Sequence, residues 1–307
     1  MDISFIKPTL EHQELIRSYF QRYQSRSCER CFANIYLWIE FEQVKFAEIC
    51  NTLVFRRNLA GTMVFSWPAG EKEDIGRALK LMERYAAEEF GQPLCLFCMT
   101  PAFFSVLEEL QPGRWEITYN RDFADYIYER DQLANLSGKK FHGKRNHIHR
   151  FEERYPDWHY EPLSKENAAD ARKVALKWRE ENSCDAGAGQ DLDEGKSEEL
   201  CVCLREIEMF DELHLTGGIL YTGNEPVAFS IGEQLSDDTF VVHVEKALAD
   251  VQGAYPMINR EFVRHECGAV RYINREDDTG APGLRKAKLS YNPVMLEEKG
   301  VAVCKTS

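Results

Sequence analysis

No stretch of this 307-residue chain is apolar for long enough to cross a bilayer. The most apolar segment, residues 32–39 (Phe-Ala-Asn-Ile-Tyr-Leu-Trp-Ile), falls far short of the roughly 18–20 residues that a spanning helix needs. The N-terminus, MDISFIKPTLEHQ, lacks the basic start and apolar core of a secretory signal. A cytoplasmic protein is therefore expected, with its 10 cysteines mostly as thiols. Glycine (19) and proline (11) are not enriched, which argues against collagen-like or wholesale disordered chains. Basic residues are in deficit, 38 Lys and Arg against 51 Asp and Glu, for a net charge of −13. That balance disfavours a protein that coats nucleic acid or anionic membrane with its whole surface. It leaves room for a local basic patch.

Two cysteine pairs, Cys28-x-x-Cys31 and Cys95-x-x-Cys98, have the spacing of metal ligands. Residues 94–99, however, read as a buried strand, in which side chains three apart point to opposite faces. Buried thiols are expected and no metal site is assigned.

The length suits two domains of about 150 residues. In the second half the patterning predicts a strand at 158–162 ended by Pro162 and a helix capped by Ser164. A Gly/Asp-rich loop at 185–195 and a helix over 197–210 follow. Three strands (213–221, 226–233, 239–245) come next, then a helix over 255–266, a strand at 269–274, a helix over 282–290 and a strand at 301–305. The first half predicts the same order. A strand at 3–6 is ended by Pro8, and Thr9 caps a helix to about residue 23. A helix over 31–41, strands at 44–50, 52–57 and 61–67, and a helix over 74–90 ended by Gly91 follow. A strand at 94–99, a helix over 101–110 and a strand at 115–119 complete it. Residues 131–155 read as a basic helical connector. The repeated order resembles the GNAT (acyl-CoA N-acyltransferase) fold in tandem. The expected class is α+β, each domain a mixed, mostly antiparallel sheet flanked by helices. Expected boundaries are 1–130, a connector at 131–155, and 156–307 carrying the site.

The resemblance implies an acyl-donor loop between the fourth strand and the next helix, here residues 246–255 with Gly253 and Ala254. Helix N-termini offer N–H groups to a pyrophosphate. The usual coenzyme A signature is degenerate: Asp250 stands where Gln or Arg belongs and Tyr255 where a small residue belongs. The strand end His243-Val-Glu245-Lys246 places His243 and Glu245 on one face, either solvated or lining a polar cleft. Asn274, Glu276, Asp277 and Asp278 follow the fifth strand, and Arg285 and Lys288 share a face of the next helix. Such carboxylates and cations suit a zwitterion, with an amine against Glu276 and Asp278 and an anion against Arg285 and Lys288. A solvated turn with capping Asp residues is the other reading. The strip from 139 to 150 concentrates Lys139, Lys140, Lys144, Arg145 and Arg150 with three histidines, and suits phosphates or a charged connector paired with the acidic surface. The loop Asp185–Asp193 lacks a calcium-loop pattern and reads as a mobile loop over the cleft.

The Lys-Lys-x-x-Gly-Lys-Arg strip and the His-x-Glu-Lys-Ala strand end accompany the run Asn-x-Glu-Asp-Asp-x-Gly-x-x-Gly-Leu-Arg-x-x-Lys ending in Tyr-Asn-Pro. Together they resemble the C-terminal catalytic domain of bacterial phosphatidylglycerol lysyltransferases and its soluble relatives, over about residues 1–300. The resemblance implies two GNAT-like domains joined by a long helix. For the lysyltransferases it implies transfer of an aminoacyl group from aminoacyl-tRNA to a lipid hydroxyl. Without their membrane part, the acceptor here is expected to be a small molecule or a lipid headgroup. On this reading Glu245 or Asp277 serves as base, Arg285 and Lys288 stabilise charge, and Tyr291 donates a proton to the leaving group. The donor is aminoacyl-tRNA held by the strip, or acyl-coenzyme A, and no further cofactor is required. Alternatives are an acyl-coenzyme A N-acyltransferase acting on a small amine and a non-catalytic ligand-binding tandem.

Overall fold

The computed structural model describes residues 3–59, 61–183 and 190–305. Its elements in chain order are α1 (Gln13–Arg22), α2 (Phe32–Leu37), β1 (Lys45–Ile49), β2 (Thr52–Leu59), β3 (Thr62–Ser66), α3 (Lys72–Phe90), β4 (Cys95–Met99), α4 (Pro101–Leu110), β5 (Trp115–Tyr119), β6 (Asp125–Glu129), α5 (Arg130–Asn135) and α6 (His142–Arg154). They continue with β7 (Trp158–Pro162), α7 (Ala168–Ser183), α8 (Gln190–Glu208), β8 (Thr216–Thr222), β9 (Glu225–Gln234), β10 (Thr239–Ala247), α9 (Ala254–His265), β11 (Tyr272–Asn274), α10 (Pro282–Leu289), β12 (Met295–Glu297) and β13 (Gly300–Cys304).

Local chemistry accounts for the element boundaries that match expectation. Pro101 opens α4, where Thr100 Oγ1 accepts from the Phe103 N–H, and Gly91 ends α3 in the left-handed conformation at φ +63°. On α3, Ile75, Ala78, Leu79, Met82 and Ala86 recur at helical spacing and join a core with Val54, Phe65 and Leu96.

The chain divides into two compact units: 1–126 with 276–286 and 296–307, and 127–275 with 287–295. One sheet has six strands in the order β1-β2-β3-β4-β13-β5; the other has seven, β12-β6-β11-β10-β9-β8-β7. Among the paired strands whose direction is defined, β3/β4 and β10/β11 are parallel and the rest antiparallel. The fold is therefore α+β with two mixed, mostly antiparallel sheets flanked by helices.

Several expectations are corrected. The strand expected at 3–6 reduces to one bridge, Ile6 with Phe46, and the helix expected over 31–41 spans only Phe32–Leu37. The connector is not one helix: it breaks at Leu136 (φ 49°) and Gly138 (φ 87°) into α5 and α6. Residues 125–129 before it form a strand beside β11. Of the loop expected over 185–195, residues 185–189 lie outside the described residues, and α8 begins at Gln190. The largest correction concerns the last strand. β13 was expected with the second half, but it pairs with β4 and β5 in the first sheet. The units therefore do not follow a single cut at residues 131–155.

Lys299 explains where β13 settles. This lysine is 1% exposed and immediately precedes the strand. Its ammonium lies 2.7 Å from both Glu29 and Asp125 and donates to Cys28 Sγ at 3.3 Å. Cys28, Glu29 and Asp125 are close enough to share a cation, and the positive charge among them is this lysine's own. Of the metal-spaced cysteines, Cys98 also points to Glu29 (3.1 Å), whereas Cys31 Sγ donates to the Cys28 carbonyl. Burial opposes ionisation of Glu29, but the Lys299 charge and the hydrogen bonds from Lys299, Ser27 and Cys98 outweigh it and hold the carboxyl at about 2. We expect Lys299→Met to destabilise the fold by about 3–5 kcal/mol in urea titrations near pH 7, because it strands two buried carboxylates. The folded value for Glu29 lies below its ordinary 4.5, so the stabilisation is complete above that pH and is lost as pH falls towards 2. The deficit of the variant should shrink over that acid range. A deficit under about 1 kcal/mol at neutral pH would contradict this role.

Candidate active site

Strands β10 and β11 run parallel only from Thr239↔Tyr272 to Val241↔Asn274. There β11 ends, while β10 continues to Ala247 past a bulge between Val242 and Val244 that leaves His243 out of register with β9. The opening beyond Asn274 is bridged by charge. Arg275, the residue after β11, places Nη2 2.8 Å from Glu245 Oε1 on β10. Asn259 Nδ2 on α9 donates to Glu245 Oε2 at 2.9 Å. Both charged side chains are about nine-tenths buried, with exposures of 11% and 9%.

Around this pair stand Tyr291, Tyr128 and Lys144. The Arg275 guanidinium lies 4.7 Å from the Tyr291 ring and 5.6 Å from that of Tyr128. The Lys144 ammonium sits 3.7 Å from the centre of the Tyr291 ring. Burial, together with the nearby Arg275 charge, brings the Lys144 amine down to about 8, and Glu245 partly opposes this. Burial likewise pushes the Tyr291 phenol up. Two polar atoms in this cluster are buried and make no hydrogen bond, Arg275 Nη1 and Asn259 Oδ1. Both residues meet Glu245 through a nitrogen, and a buried donor and a buried acceptor without partners are costly unless a polar group meets them.

The loop expected to receive a donor phosphate is packed differently. Gly253 has φ +92°, and a Cβ there would come within 2.6 Å of the His147 carbonyl oxygen and 2.9 Å of Phe151 Cβ, both on α6. Ala254 is buried, so α6 covers the N-terminus of α9. This contact also divides the basic strip. Lys144 turns inward to Tyr291, while Arg145 donates to the carbonyls of Leu136 and Gly138 and so satisfies the end of α5. Lys139, Lys140 and Arg150 are exposed, with Lys140 reaching Gln132 at 2.8 Å.

The other expected residues are dispersed. His243 lies 3.4 Å from Glu233, and Asn274 is fully buried in β11. Lys246 pairs with Glu199 and covers the Trp178 ring at 3.5 Å. Lys288 donates to the Arg275 carbonyl at 2.7 Å, fixing the backbone of that arginine. Asp278 and Arg285, expected to face a zwitterion, face each other in a two-pronged pair (2.9 and 2.6 Å), and Arg285 also meets Asp122 at 2.6 Å. Burial works against the Asp278 charge, but Arg285, Tyr126 and the Gly280 N–H outweigh it and hold its carboxyl at about 2. Glu276 (φ 54°) gives its carbonyl to the Tyr126 N–H. Asp277 is half-buried; burial, with Asp125, Glu276 and Glu29 adding to it, pushes its carboxyl up to about 7 against the opposing Lys299. Glu245 and Asp277, expected as alternative bases, thus belong to different units. Arg275 and Asn259 were not singled out from sequence. Arg275 stood inside the acidic run 274–278 and read as part of a solvated turn.

Two mixed, mostly antiparallel sheets flanked by helices, with β3/β4 and β10/β11 parallel among the pairs whose direction is defined, make a tandem GNAT-like fold. The chain belongs to the family described as phosphatidylglycerol lysyltransferase, C-terminal, which matches residues 20–303. It is similar to a conserved protein of unknown function from Bacteroides thetaiotaomicron, with 36% identity, TM-score 0.92, and coverage of 99% of this chain and 100% of that one. It shares its fold with the C-terminal domain of a putative lysylphosphatidylglycerol synthetase from Agrobacterium fabrum, at 13% identity, TM-score 0.65, and coverage of 96% and 92%. An uncharacterized protein of Mycoplasmoides gallisepticum is 25% identical over 176 residues, 56% of this chain and 53% of its own length, so the chain spans about half the length of that curated relative. No helix among the described residues is long and apolar enough to cross a membrane.

The packing of α6 on the α9 loop yields a direct test. Gly253→Ala should destabilise the protein by about 1–3 kcal/mol, because it adds both a positive-φ penalty and a backbone clash. Chemical denaturation checks this, and an unchanged midpoint would show that α6 does not press on the loop.

Proposed function

We propose that the protein transfers an aminoacyl group from an aminoacyl-tRNA ester to a nucleophilic acceptor, a small molecule or a lipid headgroup, at the opening between β10 and β11. The observation that carries this reading is the buried, unpaired couple Arg275 Nη1 and Asn259 Oδ1 beside a half-buried lysine. An ester carbonyl needs a donor on its oxygen, which Arg275 Nη1 supplies. An α-amine needs an acceptor, which Asn259 Oδ1 supplies. The ester is already activated, so the main catalytic work is placing the nucleophile and stabilising the oxyanion.

Glu245 then acts chiefly through others, because its two oxygens hold Arg275 and Asn259 in place. Lys144, with its amine near 8, is populated in both protonation states close to neutral pH, so it suits taking the proton that the attacking nucleophile loses and returning it to the departing ribose oxygen. Tyr291 supplies the ring face against which both cations rest. The exposed Lys139, Lys140 and Arg150 supply phosphate contacts for the tRNA. The acyl-coenzyme A reading draws less support, because α6 occupies the approach to the Gly253 loop and the exposed Asp250 opposes a pyrophosphate.

The test is calorimetric titration with a non-hydrolysable 3′-aminoacylamido-adenosine. Saturable binding to the wild-type protein is expected, weakened by about tenfold or more in Lys144→Met. Lys144 is cationic below about 8, so binding should fall as pH rises through that value. Absence of binding to the wild type, or binding indifferent to both pH and Lys144→Met, would contradict the proposal.

A further inference from the structure

The sheet edges of this molecule are not alike. At one end of the six-stranded sheet β1 is covered by Ile6, which exchanges two backbone hydrogen bonds with Phe46 (2.9 and 2.8 Å). On β7, an edge of the second sheet, the bond from the Leu163 N–H to the Gly217 carbonyl fixes the alternation, so Trp158, Tyr160 and Pro162 face outward. Pro162 has no N–H to offer there, and the Trp158 N–H is taken by the Tyr155 carbonyl. Both edges are thus blunted against further pairing.

β5, at the other end of the six-stranded sheet, carries neither device. Its neighbour on one side is β13. The Asn120 N–H donates to the Lys299 carbonyl at 3.0 Å, and the Arg114 carbonyl accepts from the Lys305 N–H at 2.8 Å. By alternation Arg114, Glu116, Thr118 and Asn120 turn their backbone groups to β13, and Trp115, Ile117 and Tyr119 turn theirs outward. Among the described residues nothing hydrogen-bonds those outward N–H groups. Residues 112–114, 116 and 118–121 are exposed, so no described element lies over this edge.

An open row of donors and acceptors on a Trp-Glu-Ile-Thr-Tyr strand is a template for one more strand, and the strand's own sequence fits it. In an antiparallel two-fold pairing centred on Ile117, Ile117 meets Ile117 and Trp115 meets Tyr119. Every outward N–H then finds an outward carbonyl. Glu116 stands opposite Thr118, and the two Glu116 side chains lie on the longer diagonal. Slipping two residues one way would oppose Glu116 to Glu116; slipping the other way would set Trp115 against Arg121, beyond the strand. We propose that this edge docks a second copy of the chain, joining the two six-stranded sheets through β5 paired with β5 about Ile117. Tyr119, 38% exposed, then packs beside the strand of the second copy. This surface lies in the first unit and is independent of the site between β10 and β11.

Sedimentation velocity of the whole chain, from low micromolar concentration to about 0.1 mM, tests this. A dimer whose share rises with concentration is expected. Thr118→Glu should weaken the association by about fivefold or more, because it sets carboxylates opposite each other on both sides of Ile117. The double variant Glu116→Lys/Thr118→Glu should restore it, since opposite charges then face each other. In the dimer the Ile117 amide should exchange its hydrogen more slowly than in the monomer. A wild-type protein that stays monomeric, as an edge kept for a strand of some other protein would leave it, would overturn the proposal. So would a dimer that Thr118→Glu does not weaken.

Discussion

The contact of α6 with the loop that opens α9 fixes several features of the second unit at once. It requires the left-handed Gly253, since a side chain there would run into the His147 carbonyl. It sets the rotation of α6, and with it the fate of each basic side chain. Ile148 and Phe151 go into the core, Lys144 goes over Tyr291, and the remaining cations stay in water. A run that reads as one phosphate-binding strip is in effect three devices: a surface patch, a helix-end clamp at Arg145 and an inward amine. The same contact removes the N–H groups of α9 from easy reach of a pyrophosphate.

Three buried charges follow one rule. Lys299, Asp278 and Glu245 each have an oppositely charged partner within hydrogen-bonding distance, as burial demands. These pairs hold elements together: Lys299 seats β13 in the first sheet, and Arg275 with Glu245 spans the gap where β10 and β11 part. Arg275 also keeps one donor, Nη1, without a hydrogen bond, as Asn259 keeps its Oδ1. Unmade hydrogen bonds cost stability without structural return, so these two atoms support a binding site between β10 and β11.

Much of the architecture was legible in sequence because it rests on local rules. Pro101 after Thr100, Gly91 after an amphipathic run, and alternating strands with turn residues each identify an element where it occurs. The repeated element order pointed to the fold for the same reason. What escaped were features decided by distant parts of the chain. Nothing local says that Gly300–Cys304 adds to the first sheet, because the deciding group is a lysine meeting acids some 170 to 270 positions earlier. The site was half legible. Glu245, Tyr291 and Lys144 were picked out, but Lys144 was assigned to the surface because helical spacing alone does not reveal which face another helix covers. Asp278 and Arg285 were read as ligand-facing, whereas their mutual pairing satisfies both. Arg275 was hidden by its acidic neighbours.

The donor is the point on which the functional reading turns. If α6 occupies the ground a pyrophosphate would take, then calorimetric titration of the intact protein with acetyl-coenzyme A should show no saturable binding up to about millimolar ligand. A dissociation constant in the micromolar range would contradict it, and would return the opening between β10 and β11 to ordinary acyl-coenzyme A chemistry.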